Sequence, residues 1–163
     1  ITEAVYHWQK IYEVNSSYRS TKTKLEDYRG ILDNENQRVL FTASLEELQP
    51  LITEVIARLN YNIISKSQVN VSEYFYKAFN IKRINEPPLA IYFNRTTRDI
   101  TEAQINDFYQ RMNAENCKSG IYLTTAKFSI RAKNAAASMM VELMDATFLN
   151  KAVERVMMKR SKS

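Results

Sequence analysis

The stretch from Ile100 to Val153 constrains this chain more than any other, because its hydrophobic period switches repeatedly between helical and strand-like. Apolar residues recur at helical spacing in Ile105, Phe108, Tyr109 and Met112. Gly120 is then followed by Ile121-Tyr122-Leu123-Thr124, a short run of β-branched and aromatic residues that reads as a strand. A second helical pattern, Phe128 to Ser138, is dense in alanine at Ala132, Ala135, Ala136 and Ala137. Small side chains let such a helix lie close against a sheet. Met139 to Met144 reads as a buried strand, with a further helix after it. Strands that alternate with helices mark an α/β domain.

The preceding segment fits the same architecture. Ser44 followed by Glu47 is a capping-box pattern at the start of a helix, and Leu48, Leu51, Ile52, Val55, Ile56 and Leu59 supply its buried face. Pro50 removes an amide donor, so the regular helix is expected to start or kink there. Asn60 can close the helix in a left-handed conformation. Strands are predicted at Tyr61 to Ser65, Tyr74 to Ile81 and Leu89 to Phe93, with Val69 to Ser72 as a loop and Glu86-Pro87-Pro88 as an extended connection. With two glycines and three prolines in 163 residues, tight turns are few and helix content is high. The length suits one domain with an appendage.

The helix ending before Gly120, the strand Ile121 to Thr124, Phe128-Ser129 followed by Ala132 and Ala136, and Val141 to Asp145 before Phe148-Leu149 together resemble the C-terminal half of the Mrr-like branch of the restriction-endonuclease superfamily, the PD-(D/E)xK nucleases. The resemblance covers about Ser44 to Val156. It implies an α/β fold: a restriction-endonuclease-like three-layer core with a mixed central sheet flanked by helices, here preceded by an N-terminal helical arm. The expected division is residues 1–43 for arm and linker, 44–156 for the nuclease-like domain and 157–163 for a flexible basic tail.

The chemistry departs from the family pattern. In these nucleases an acid at the start of the second strand and a (D/E/Q)-x-K triplet on the third hold a divalent ion and activate water, a task that suits carboxylates around a hard cation with a lysine beside the phosphate. The resemblance places Glu73 at the first acid, Tyr92 at the second and Asn94 at the lysine. A neutral phenol is a poor hard-metal ligand and an amide carries no positive charge. Arg95, one residue on, is expected to face the other side of the sheet. Asp99 and Glu102 are candidates for acids that have migrated. The expectation is therefore a catalytically degenerate site at Glu73, Tyr92 and Asn94, with no bound metal and no cofactor.

Other chemistries have less support. His7 is the only histidine and Cys117 the only cysteine, which excludes internal disulfides, multi-thiolate zinc sites and a histidine base within the core. Cys117 reads as a structural thiol. Two glycines are too few for a phosphate-cradling Gly-rich loop. No apolar run is long enough for a membrane span and no signal-peptide pattern opens the sequence. An intracellular, reducing compartment is the expectation; a leader or anchor ahead of Ile1 stays open.

Charge supplies the remaining hints. The formal net charge is +5 and the pI about 9.3, which permits contact with phosphate. Lys82, Arg83, Arg95, Arg98, Lys127, Arg131 and Lys133 fall near strand ends or helix starts, and in the resembling fold several converge on the edge that meets DNA. Such a group grips phosphates rather than reading bases. In the arm, Trp8, Ile11 and Tyr12 lie on an apolar stripe suited to a protein partner or to self-association. The expected function is a non-catalytic nuclease-fold module that binds nucleic-acid backbone within a larger assembly. The alternatives are a purely structural subunit joined through the arm and a metal-dependent nuclease with a relocated site.

Overall fold

In a computed structural model of the protein the described residues are 35–162, and the chain divides between Ser44 and Leu45 into two units. Trp8, Ile11, Tyr12 and His7 lie outside the described residues. The described part of the first unit is one helix, α1 (Glu35–Thr42). It falls in the segment expected as arm and linker and takes in the whole run Arg38 to Thr42. The run lacks two-residue alternation, and the Thr42 hydroxyl donates to the Arg38 carbonyl one turn back at 2.8 Å.

The second unit holds the sheet. Helix α2 (Leu45–Arg58) leads into β1 (Tyr61–Asn70), β2 (Glu73–Asn80) and β3 (Leu89–Asn94). Then come α3 (Glu102–Ala114), β4 (Gly120–Thr124), α4 (Ile130–Ala137), β5 (Val141–Met144) and α5 (Ala146–Lys162). The strands lie in sequence order across one sheet, with β1–β2 and β2–β3 antiparallel and β3–β4 and β4–β5 parallel. The connections decide this: Val71-Ser72 and the Pro87-Pro88 loop can only reverse the chain, whereas α3 and α4 each carry it back to begin a parallel neighbour. The outcome is the expected α/β core, a mixed sheet flanked by helices.

Alternation along the strands sorts side chains to two faces. One face buries Phe75, Ala90, Tyr92, Tyr122 and Val141 against Ile105, Phe108 and Met112 of α3 and Ala132 and Ala136 of α4. Ala132 and Ala136 are one helical turn apart, and their small side chains let α4 approach the sheet. The other face presents Tyr74, Tyr76, Ile91, Phe93, Ile121 and Leu123, all buried. On that side α2 and α5 contact each other and the sheet, with Leu48, Ile52, Val55, Leu149 and Val153 fully buried.

Several boundaries differ from the sequence expectations. Strand β1 runs to Asn70 instead of ending at Ser65, because it is a largely exposed edge strand; ladder bonds to β2 hold it, and these leave no apolar alternation to read. Helix α2 starts at Leu45 and contains Pro50. Met139 and Met140 are not strand: β5 begins at Val141, and Met140 turns the chain with φ +58°. The residues expected as a flexible tail continue α5 through Lys162; Val153 and Val156, three apart and buried, anchor its middle turns, and cations suit a helix C-terminus. Asn60 does close α2 in the left-handed region, with φ +70°. Among the described residues no helix is long and apolar enough to cross a membrane.

Gly120, the first residue of β4, sits under α3. A Cβ there would stand 2.8 Å from both the Met112 sulfur and the Phe108 ring, and the aromatic ring has nowhere to move in a filled core. Gly120→Ala is expected to destabilise the protein by about 1–3 kcal/mol, read from the midpoint of a urea unfolding curve.

Candidate functional site

Strand register brings the three candidate positions together. Glu73 opens β2 and pairs with Asn94, the last residue of β3; Phe75 pairs with Tyr92. Glu73, Tyr92 and Asn94 therefore share the α3 face of the sheet, with Tyr92 diagonal to Glu73 and within reach of it. The parallel pairing of β3 with β4 sets Tyr122 beside Tyr92 and Thr124 beside Asn94.

The four polar side chains form two hydrogen-bonded pairs. The Tyr92 hydroxyl donates to Glu73 Oε1 at 2.7 Å, and Asn70 Nδ2 donates to Glu73 Oε2, so both carboxylate oxygens are engaged. Asn94 Nδ2 donates to the Tyr122 hydroxyl at 3.1 Å. The Asn94 carbonyl accepts from Thr124 Oγ1 at 3.0 Å, which fixes the end of β3. The Tyr92 and Tyr122 rings stack with centroids 5.0 Å apart, and Phe108 meets Tyr122 edge-on. Tyr122 was invisible to sequence reasoning, because only the parallel register shows that it shares a face with Asn94. Asn70 was missed because it reads as loop.

Burial sets the electrostatics. It pushes the Tyr92 phenol far above its ordinary range, and the Glu73 carboxylate, as hydrogen-bond acceptor and as a charge, pushes it further. Tyr122 is raised as well, chiefly by burial, although the Asn94 hydrogen bond opposes this. Both phenols thus stay neutral at physiological pH. A hard divalent cation wants several carboxylate or carbonyl oxygens. Here the triplet positions offer one carboxylate with both oxygens already engaged, one neutral phenol and one amide whose nitrogen is turned to Tyr122. No group of three or more His, Cys, Asp or Glu suited to a metal occurs among the described residues. The donor set does not fit the ion that the fold family implies.

A cleft of about 560 Å³ opens beside these residues, lined among others by Glu73, Tyr92, Gln104, Asp107, Arg111 and Tyr122. Gln104 is held by the α3 cap, where Thr101 N–H donates to its Oε1 at 2.9 Å. Arg111 lies over the Phe75 ring, 6.0 Å from its centroid. Asp99 and Glu102 do not line this cleft; Asp107 does. Cys117 is buried and free, and burial pushes its thiol up, away from the nucleophilic thiolate.

The seven basic candidates do not converge. Arg95 and Arg98 follow the end of β3, and Lys127, Arg131 and Lys133 follow the end of β4, so parallel pairing puts these five on one edge. Two loops are stitched there: Ile100 N–H donates to the Lys127 carbonyl at 2.8 Å and Ser129 N–H to the Ile100 carbonyl at 3.0 Å. Arg98, Lys127 and Arg131 are exposed. Arg95 is partly buried, and its electrostatic neighbour is Tyr74 of the opposite sheet face, so it does not stand in for a lysine beside Asn94. Lys82 and Arg83 follow the end of β2, at the other end of the sheet, where Arg83 pairs with Glu86 at 3.4 Å.

Residues 42–153 match a family model described as restriction endonuclease (Mrr_cat). No curated protein matches the sequence. Among solved structures, the chain is similar to the DNA modification-dependent restriction endonuclease AspBHI at 9% identity and TM-score 0.47, covering 80% of this chain and 36% of that one. It is also similar to the MspJI restriction endonuclease in complex with a 27-mer oligonucleotide, at 15% identity and TM-score 0.45, covering 93% and 31%. The chain thus spans about a third of the length of each.

The buried phenols make stability depend on alkaline pH. The folded Tyr76, Tyr92 and Tyr122 ionise above the ordinary phenol value of 10.0, so their contribution is complete below that value and is lost as pH rises past it. Unfolding free energy is expected to stay flat in this respect up to about pH 10 and to fall beyond it. Phenolate absorbance from these three is expected to appear together with the unfolding transition.

Proposed function

The chain belongs to the restriction endonuclease family of the Mrr type, and on that premise we propose that it is a nuclease-fold module that binds nucleic-acid phosphates without cleaving them, as part of a larger assembly. The Tyr92–Glu73 hydrogen bond carries this reading. At the positions where the family pattern asks for a metal-holding acid and a lysine, this chain has a neutral phenol that occupies the remaining carboxylate and an amide that occupies a second phenol. Neither the phenol nor the amide supplies the second acid or the lysine of the family pattern.

Binding is supported by the edge just beyond this site. Arg98 and Lys127 are exposed on stitched loops and Arg131 in the first turn of α4, which starts beside them with Ser129 as its cap and no acid in its first turn. The positive end of a helix adds to the attraction for phosphate. Cations arranged this way contact backbone oxygens and carry little sequence preference. A second reading, a nuclease with a relocated metal site, is favoured by Asp107, which shares the cleft with Glu73.

Fluorescence anisotropy of a labelled duplex across a salt series, with Mg²⁺ present and the DNA then examined for cleavage, separates the two. Affinity is expected to fall with a logarithmic slope of about −3, roughly one per contacted phosphate, with intact DNA. Arg98→Gln with Lys127→Gln should make the slope shallower by about two. Absence of binding at low salt would refute the module. Mg²⁺-dependent cleavage that disappears in Asp107→Ala would establish the relocated nuclease instead.

A further inference from the structure

Helix α3 turns an acid and a base toward the cleft beside Glu73 and Tyr92. Asp107 and Arg111 are four apart, which puts them on one helix face with Cβ atoms about 5–6 Å apart, and both line the cleft and are exposed. Neither forms an ion pair or a side-chain hydrogen bond with another of the described residues. Arg111 is instead held over the Phe75 ring, 6.0 Å from its centroid. Burial dominates the raised pKa of Tyr122 and of Tyr92; beyond it, the charge of Asp107 acts on the first phenol and that of Arg111 on the second. Each charge thus lies within reach of the aromatic floor.

The charges around the cleft select against ionic ligands. An anion would meet Glu73 and Asp107, and an organic cation would meet Arg111 and find both Glu73 oxygens already accepting from Tyr92 and Asn70. What fits is a neutral, flat molecule that donates on one edge and accepts on the next, with faces to lie against Val69 of β1 and Ala114 of α3. The cleft volume of about 560 Å³ is that of a small-molecule site. Guanine meets this description among the common bases. Its N1–H and N2–H groups donate side by side, as a carboxylate accepts, and the adjoining O6 and N7 accept from an arginine fork. Adenine has no such donor pair, and the pyrimidines lack N7.

We propose that this cleft binds a guanine base, with Asp107 accepting from N1 and N2 and Arg111 donating to O6 and N7. The base comes either from a free nucleoside or nucleotide or from an unstacked position in a nucleic-acid strand. The proposal goes beyond the phosphate-binding edge and stands without it, because an uncharged nucleoside suffices to fill the cleft.

Titration calorimetry on the full chain in phosphate-free buffer with guanosine, inosine, adenosine and cytidine tests this. Guanosine is expected to bind one to one, and adenosine and cytidine at least about tenfold more weakly, the scale of one charge-assisted hydrogen bond lost. Inosine, which lacks the N2 group, should fall between. Asp107→Asn should weaken guanosine about tenfold and remove its advantage over inosine, whereas Arg111→Gln should weaken both alike, with thermal melting of each variant as in the wild type. A thymidine oligonucleotide carrying a single guanine that displaces guanosine at lower concentration than guanosine itself requires assigns the base to a nucleic-acid strand; displacement no tighter than that assigns a free nucleoside or nucleotide, and either result supports the site. Equal binding of the four nucleosides, absence of guanosine binding, or guanosine binding unchanged in both variants would overturn it. None of these results bears on duplex binding at the Arg98–Lys127 edge, so the two readings fail separately.

Discussion

The parallel pairing of β3 with β4 is the constraint from which the site and its surroundings follow. It requires a crossover, which α3 supplies, and the crossover places Phe108 and Met112 over the sheet, where Gly120 has room for no side chain. The same pairing aligns Tyr92 with Tyr122 and Asn94 with Thr124. It also brings the loops after the two strands to one edge, where Ile100 bridges to Phe128. The polar pairs Tyr92–Glu73 and Asn94–Tyr122 arise where this register meets the antiparallel one between β2 and β3. A slip of one residue in either pairing would turn these side chains to the other face.

Chemistry at the site depends on what each partner leaves available. Glu73 is the residue there best suited to a cation, and its two oxygens accept from Tyr92 and Asn70. Tyr92 is buried among Phe108 and Tyr122, which keeps its phenol neutral and makes it a dependable donor. The arrangement satisfies buried polar groups internally, as a hydrogen-bonded interior requires. The exposed cations Arg98, Lys127 and Arg131 lie apart from it, beyond the ends of β3 and β4.

Legibility in the sequence followed burial. The elements from α3 to β4 could be read because Ile105, Phe108 and Met112 repeat at helical spacing and Ile121 to Thr124 is buried on both faces of the sheet. Helix α4 was legible from its alanines. Strand β1 beyond Ser65 was not, since an exposed edge strand is held by backbone bonds that any side chains permit. Met139 and Met140 misled because apolar character suggested burial, whereas Met140 is 71% exposed in a turn. At the site, Glu73, Tyr92 and Asn94 could be located through the family pattern, but Tyr122, Asn70 and Asp107 depend on register and on helix placement. The basic residues were all read near strand ends or helix starts; only strand direction separates Lys82 and Arg83 from the five that share an edge.

Titration calorimetry with Mg²⁺ and Mn²⁺ on the wild type and on Glu73→Gln tests the central claim most directly, that the Tyr92–Glu73 pair stands where a metal site would be. The account predicts no stoichiometric binding and indistinguishable traces for the two proteins. Stoichiometric binding of either ion by the wild type that is abolished in Glu73→Gln would contradict it.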